Sequence, residues 1–236
     1  MSAALKTSPA AELPVGPKVD ATPAQRPGPV VFEGYFGRVE KLDPARHATD
    51  LWRAVSGDDR LFTYMFYDPF PDAGAFSNFL GKIAALDEQV YYAVVDRENR
   101  AAGWMSLMEI RPAVRVIEVG SIVFGTHLQR TALATEAQYL LACHVFEALG
   151  YRRYEWKCDA LNAASRRAAL RLGFTFEGIF HQHMIIKGRS RDTAWFAMLD
   201  SEWPRIKKAF EGWLDSKNFD TEGRQRRSLE QVRNSI

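Results

Sequence analysis

The sequence predicts an α+β fold in three layers, a mixed and mostly antiparallel central sheet flanked by helices. Three observations predict it. Val116 to Phe124 is an apolar run carrying one acid, Glu118, and reads as a central strand. Residues 89–95 with 101–110, and 176–186 with 193–199, are paired segments joined by polar turns and read as two hairpins. Between the hairpins come a strand, a long helix and another strand, an order that implies a right-handed crossover and a parallel pair.

Residues 1–30 hold Pro9, Pro14, Pro17, Pro23, Pro27 and Pro29, and few bulky apolar residues. They read as an extended or disordered arm; packing on a partner subunit is the alternative. The globular part spans 31–200. Its first strand covers 35–42. Asp43 then caps a helix with Pro44 in the first turn and Leu51, Trp52 and Val55 on the apolar side. Residues 61–71 are dense in aromatics and lead into a helix at about Asp72, with Phe76, Phe79, Leu80 and Ile83 on one face. After the central strand, Gly125, Thr126 and His127 break the chain. A helix over 131–149 places Leu133, Ala137, Leu140, Leu141, Val145 and Leu149 at helical spacing, and Gly150 ends it. Residues 153–159 form the next strand. Asn162 caps a further helix, which Gly173 and Phe174 close as a Schellman stop. Residues 201–215 form an amphipathic helix with Trp203, Ile206, Phe210, Trp213 and Leu214 on one side. Residues 216–236 read as a polar basic tail.

At 236 residues and 47% hydrophobic, the chain holds one sizeable domain with tails. The net charge of +2, mixed in sign, argues against a dedicated nucleic-acid binder. In the tail, Lys217, Arg224, Arg226, Arg227 and Arg233 are offset by Asp220, Glu222 and Glu230. Cys143 and Cys158 lack metal-ligand spacing and read as buried free thiols, which suits a reducing cytoplasm. No apolar run approaches the roughly 20 residues of a membrane span, and the N-terminus has no apolar signal region. No G-x-x-x-x-G-K-[ST] and no G-x-G-x-x-G is present.

The central strand feeds a small-residue turn at a helix N-terminus, where unpaired N–H groups and the helix dipole favour an anion. Ala132 and Ala134 let a bulky phosphate approach the backbone, and Arg130 adds charge. An ordinary strand-loop-helix connection is the competing reading. Glu118 stands between Ile117 and Val119, so it is desolvated, with a raised pKa, and suited to take a proton from an ammonium through a water. A structural acid paired with an arginine or a backbone donor fits equally. Glu109 and Asp159 are second choices. No Ser-His-Asp or Cys-His spacing supports a covalent mechanism. His181 and His183 alternate onto one strand face without an evident third ligand; they read as polar residues lining the sheet, and no metal is expected.

Gln129-x-x-Ala132-x-Ala134 resembles the [Q/R]-x-x-G-x-[G/A] pyrophosphate loop of the GNAT superfamily of acyl-CoA-dependent N-acyltransferases, with Ala132 in the place of glycine. Residues 117–137 are similar to its RimJ/RimL-like branch, which includes N-terminal acetyltransferases of ribosomal proteins and small-molecule acetyltransferases. Asn162-x-x-Ser165, with Gly173-Phe174 beyond, resembles the family's second CoA-binding motif. The resemblance runs over about 34–200. It implies a GNAT-like sheet with splayed central strands, and acetyl-CoA or another acyl-CoA as co-substrate. Ile122, Val123 and Phe124 would pair with pantetheine, the N–H of Val123 polarising the thioester. The N–H groups of Gln129, Arg130, Thr131, Ala132, Leu133, Ala134 and Thr135 would hold the pyrophosphate, with Arg130, Arg166 or Arg167 reaching the phosphates. Solvated arginines are the alternative. Ala169 stands where many such enzymes place a tyrosine acid, and Ser165 would assist the departing thiolate instead. The segment beside the acceptor site would offer Tyr64, Tyr67 and Phe70; dense aromatics also read as core.

The expectation is acyl transfer to a primary amine of a small molecule or a protein N-terminus, by direct attack in a ternary complex. The alternative is a non-catalytic acyl-CoA-binding or regulatory protein on the same fold. No nucleic acid and no membrane are expected. The apolar C-terminal helix would either cap the core or make a homodimer contact.

Overall fold

The computed structural model describes residues 13–236. Eight strands form one sheet in the order β1-β2-β3-β4-β5-β6-β8-β7. They are β1 (Val31–Glu33), β2 (Gly37–Lys41), β3 (Val90–Asp96), β4 (Ala101–Arg111), β5 (Val116–Phe124), β6 (Arg153–Asp159), β7 (Thr175–Ile186) and β8 (Arg189–Leu199). The β5–β6 pair is parallel and every other pair antiparallel, so the expected mixed three-layer α+β fold is present.

Alternation along buried strands divides the core in two. Tyr91, Ala93 and Val95 of β3 and Trp104 of β4 face α1 (Pro44–Val55) and α2 (Ala73–Ala84), meeting Leu51, Val55, Phe76 and Leu80. Tyr92 and Val94, with Ile117 and Val119 of β5, face the opposite layer. That layer holds α3 (Ala132–Cys143), α4 (Ala163–Leu172) and α5 (Trp203–Leu214). Asp43 caps α1, its Oδ1 accepting from the Ala45 N–H at 2.9 Å, and Asp72 caps α2 through the Ala75 N–H at 2.8 Å. The helix expected over 131–149 is α-helical only to Cys143 and continues as a π-helical turn, His144–Ala148.

At the end of α4, Gly173 has φ 103 and Phe174 donates its N–H to Ala169 O at 3.0 Å, the expected Schellman stop. A Cβ at Gly173 would lie 3.1 Å from Ile206 Cγ2. Gly173→Ala is therefore expected to cost about 1–2 kcal/mol for the left-handed backbone, a loss of roughly 2–8 °C in Tm by differential scanning fluorimetry.

Residues 24–30 and the C-terminal segment both pack on the domain. Residues 1–12 of the arm lie outside the described residues. From residue 13 to 30 the chain has no helix or strand. Ala24 and Gln25 donate N–H bonds to Pro112 O and Leu149 O, and Pro27 is buried. The strand β1, which follows, was not expected. The apolar side of α5 is buried within this chain: Trp203, Ile206, Phe210 and Trp213 join the α3-side core. The expected polar tail instead folds into α6 (Leu229–Arg233), opened by a Ser228–Gln231 capping box and burying Leu229 and Val232. Arg233 Nη1 then donates to Arg171 O at the end of α4, at 2.8 Å.

Candidate active site

The parallel ladder between β5 and β6 runs only from Val116/Arg153 to Val119/Trp156. Beyond it the two strands no longer pair with each other. Gly120 opposes Ser106 and Val123 opposes Trp104, so β5 carries a bulge between them, with Ser121 at φ 50. A cleft of about 350 Å³ opens here, with Glu118, Ile122, Lys157, Ser165 and Trp195 among its walls. The N–H of Gly125 donates to Ala102 O. Ladder alternation then turns the N–H of Val123 toward β4 and those of Ile122 and Phe124 toward the opening. Two expectations are corrected. Val123 is spent on the sheet and its side chain is core. The carbonyl of Phe124 already accepts from Gln129 Nε2 at 2.9 Å.

Glu118 is 5% exposed and borders the cleft. Its Oε2 lies 2.8 Å from Lys157 Nζ, and Lys157 also reaches Glu155 Oε2 at 3.1 Å. Burial pushes the Glu118 carboxyl up to about 7, against the pull of Lys157. Glu155 differs: it too is buried, but Arg153 at 2.7 Å, Lys157, and Arg111 at 2.6 Å hold it below the usual carboxylate range. Register explains the cluster. Glu118 opposes Glu155 across the parallel pair, and alternation carries Glu155, Lys157 and Asp159 to one face of β6.

At the start of α3, the Gln129 N–H donates to Gly125 O, Thr131 N–H to Leu128 O and Thr135 N–H to Thr131 O. Thr131 caps the helix by accepting from Ala134 N–H at 3.1 Å. That leaves the N–H groups of Arg130, Ala132 and Leu133, which have no acceptor among the described residues. Arg130 is exposed, with φ 64. Three free N–H groups at a helix N-terminus fit a phosphate chain. The expected seven-residue cradle is thus narrowed to three donors.

A family model described as acetyltransferase (GNAT) domain matches residues 39–175. The chain belongs to the GNAT acetyltransferases. It is similar to a GCN5-related N-acetyltransferase from Brucella melitensis, at 45% identity over 91% of this chain and 99% of that one, with a TM-score of 0.89. A probable GNAT-family acetyltransferase from Chromobacterium violaceum is 38% identical over 84% and 100%, with a TM-score of 0.76. The Salmonella typhimurium acetyltransferase that modifies the N-terminal serine of ribosomal protein L7/L12 is 19% identical over 72% and 99%, with a TM-score of 0.63, a likeness of fold. No curated protein matches the sequence. GNAT enzymes use acetyl-CoA as co-substrate, and the free edges and N–H groups of this cleft fit that ligand.

In this GNAT chain Asn162 is consumed as a cap, its Oδ1 accepting from the Ser165 N–H at 3.0 Å. Ser165 Oγ accepts from Trp156 Nε1 at 3.0 Å, and the hydroxyl borders the cleft beside the Cys158 thiol. Arg166 donates to Ala160 O and stacks on Phe176, Arg167 is exposed, and Ala169 is buried in the core. Tyr64 lines the cleft, its hydroxyl donating to Leu161 O at 3.3 Å. Tyr67 and Phe70 do not line it. They pack with Phe62, Phe76 and Phe79 in the α1–α2 core.

Glu109 and Asp159 border the cleft, and Asp159 spends Oδ1 on the Leu161 N–H. The two histidines separate. A bulge in β7, with Gln182 at φ 48, sends His181 to Asp192 and His183 to Thr193, successive β8 residues on opposite faces. Only His183 reaches the cleft, and no group of three or more ligating side chains that could hold a metal occurs among the described residues. Lys157, Arg191, Trp195 and Phe66 were missed. For Lys157 the signal was present, as three charges alternating through an apolar strand.

No helix among the described residues is long and apolar enough to cross a membrane.

Proposed function

We propose that this acetyltransferase moves the acetyl group of acetyl-CoA to a primary amine by direct attack within a ternary complex. The observation that carries the reading is Glu118, a carboxyl with a pKa of about 7 beside the open strand edges where the thioester would lie. At neutral pH it is partly ionised and can accept a proton from an incoming ammonium, directly or through one water. The free edge of β5 pairs with the pantetheine as an added strand would. The Ile122 N–H, turned to the opening, takes the oxyanion role expected of Val123. The C–N bond forms as the C–S bond breaks. The first proton of the ammonium passes to Glu118 and on to solvent, which frees the carboxylate to take the second N–H proton as the C–N bond forms; the Ser165 hydroxyl donates to the departing sulfur and regains its proton from solvent.

Cys158 also borders the cleft, but burial raises its thiol pKa, so little thiolate is available for an acyl-enzyme route. The free N–H groups of Arg130, Ala132 and Leu133 hold the pyrophosphate. The acceptor is a small-molecule amine or a protein N-terminus, as in the RimJ/RimL-like branch.

Titration calorimetry with acetyl-CoA, CoA and ATP, followed by thiol release against a panel of amines, tests the reading. Saturable binding of both CoA compounds without an ATP response, and amine-dependent thiol release, are expected. Binding without release under any amine would leave an acyl-CoA-binding protein on the same fold. No binding would remove both.

A further inference from the structure

The charge that the mechanism leaves unused is Arg191 of β8. It is 7% exposed and lines the cleft. Its Nε donates to Thr193 Oγ1 at 3.2 Å, and its guanidinium lies over the Phe66 ring, 5.2 Å from the centroid. Neither Nη atom hydrogen-bonds a described residue, and no described carboxylate lies within salt-bridge distance. Lys157, on the same wall, is held by two carboxylates. A guanidinium this largely buried, with no counter-charge beside it and its Nη edge open to the cleft, favours an anion arriving there.

The surroundings fix where that anion sits. Alternation puts Arg191, Thr193 and Trp195 on one face of β8, and Lys157 Nζ lies 4.1 Å over the Trp195 ring. Arg191 therefore shares the face of the sheet that carries Lys157 and Glu118. Thr193, itself buried, is also bonded to His183 Nδ1 at 3.0 Å, so the Nε edge is anchored while the Nη edge is left to the cleft. A planar fork of donors in that position matches a carboxylate.

Resting on the acetyl-transfer reading above, we infer that the acceptor is an amino carboxylate, with its primary amine presented to Glu118 and its carboxylate held by Arg191. The aromatic wall of Phe66, Tyr64 and Trp195 packs the body between them.

Matched acceptor pairs test this in steady-state thiol release with acetyl-CoA: 5-aminopentanoate against 5-aminopentanamide, and phenylalanine against phenylalaninamide. The carboxylate member of at least one pair is expected to exceed its amide by tenfold or more in kcat/KM, chiefly through KM. Arg191→Gln should bring that ratio to within about twofold, and Arg191→Lys should keep part of it. Amides that equal or surpass their acids, or a ratio that Arg191→Gln leaves intact, would overturn the inference while acetyl transfer stands. If no amine is acetylated although acetyl-CoA binds, both fall. If Arg191→Gln does not fold, the wild-type ratios decide.

Discussion

Glu118→Gln is expected to lower kcat/KM at pH 8 by about 10²–10⁴-fold, roughly 3–5 kcal/mol of transition-state stabilisation, with acetyl-CoA affinity kept within about twofold. The variant should fold, because Lys157 retains Glu155 at 3.1 Å. The pH profile carries the sharper signature. A base acts when deprotonated, so wild-type kcat/KM should rise through pH of about 7, where Glu118 titrates, and the variant should lose that limb and keep only the one set by the acceptor's own ammonium. Stability moves the opposite way. A carboxyl whose folded pKa is raised binds its proton more tightly when folded, so its favourable contribution is complete below the unfolded value of 4.5 and is lost as pH rises through about 7. Thermal unfolding at pH 5 and pH 8 should show this loss in the wild type and less of it in Glu118→Gln. An unaltered rate and profile in the variant would leave Glu118 as a buried structural acid.

Ala132→Asp should separate folding from cofactor binding by sign. Position 132 opens α3, where the dipole stabilises a carboxylate by about 0.3–1 kcal/mol, so Tm should rise slightly. The same carboxylate would lie against the free N–H groups of Arg130, Ala132 and Leu133 and repel a pyrophosphate. At an effective dielectric near 20 this is expected to weaken acetyl-CoA roughly 10–100-fold, less so at high salt. Calorimetry at two ionic strengths checks both effects. Undiminished affinity would mean that the phosphates bind elsewhere.

The long, strongly patterned elements were legible in the sequence. The bounds of β6, the caps Asp43, Asn162 and Gly173, and a helix start near Asp72 are written in local chemistry, and the structure has them. What stayed hidden depends on tertiary context. Just beyond the arm's prolines, β1 has three residues and exists because it pairs with β2. Leu229 and Val232 are two apolar residues in an arginine-rich stretch, and only the surface of α4 and α5 gives them somewhere to go. Tyr67 and Tyr64 look alike in sequence, yet a tight turn sends one into the core and the other to the cleft. At the site, Glu118 was visible as a charge within an apolar strand. Arg191 was not, because the start of β8 was placed at Thr193, two residues beyond it.

The break between β5 and β6 also bears on how the protein behaves in a concentrated solution. Two strand edges stand unpaired in the middle of the sheet, and bare edges invite a strand from another molecule. A hydrophobic gap of this kind would be a site of self-association. Here the gap carries Glu118, Lys157 and Asp159, and inward-pointing charge is a device by which natural sheets keep foreign strands out, since an intruder would have to bury those charges against its own backbone. The ionisable groups proposed above for proton transfer would thus also oppose strand-to-strand association at the open gap.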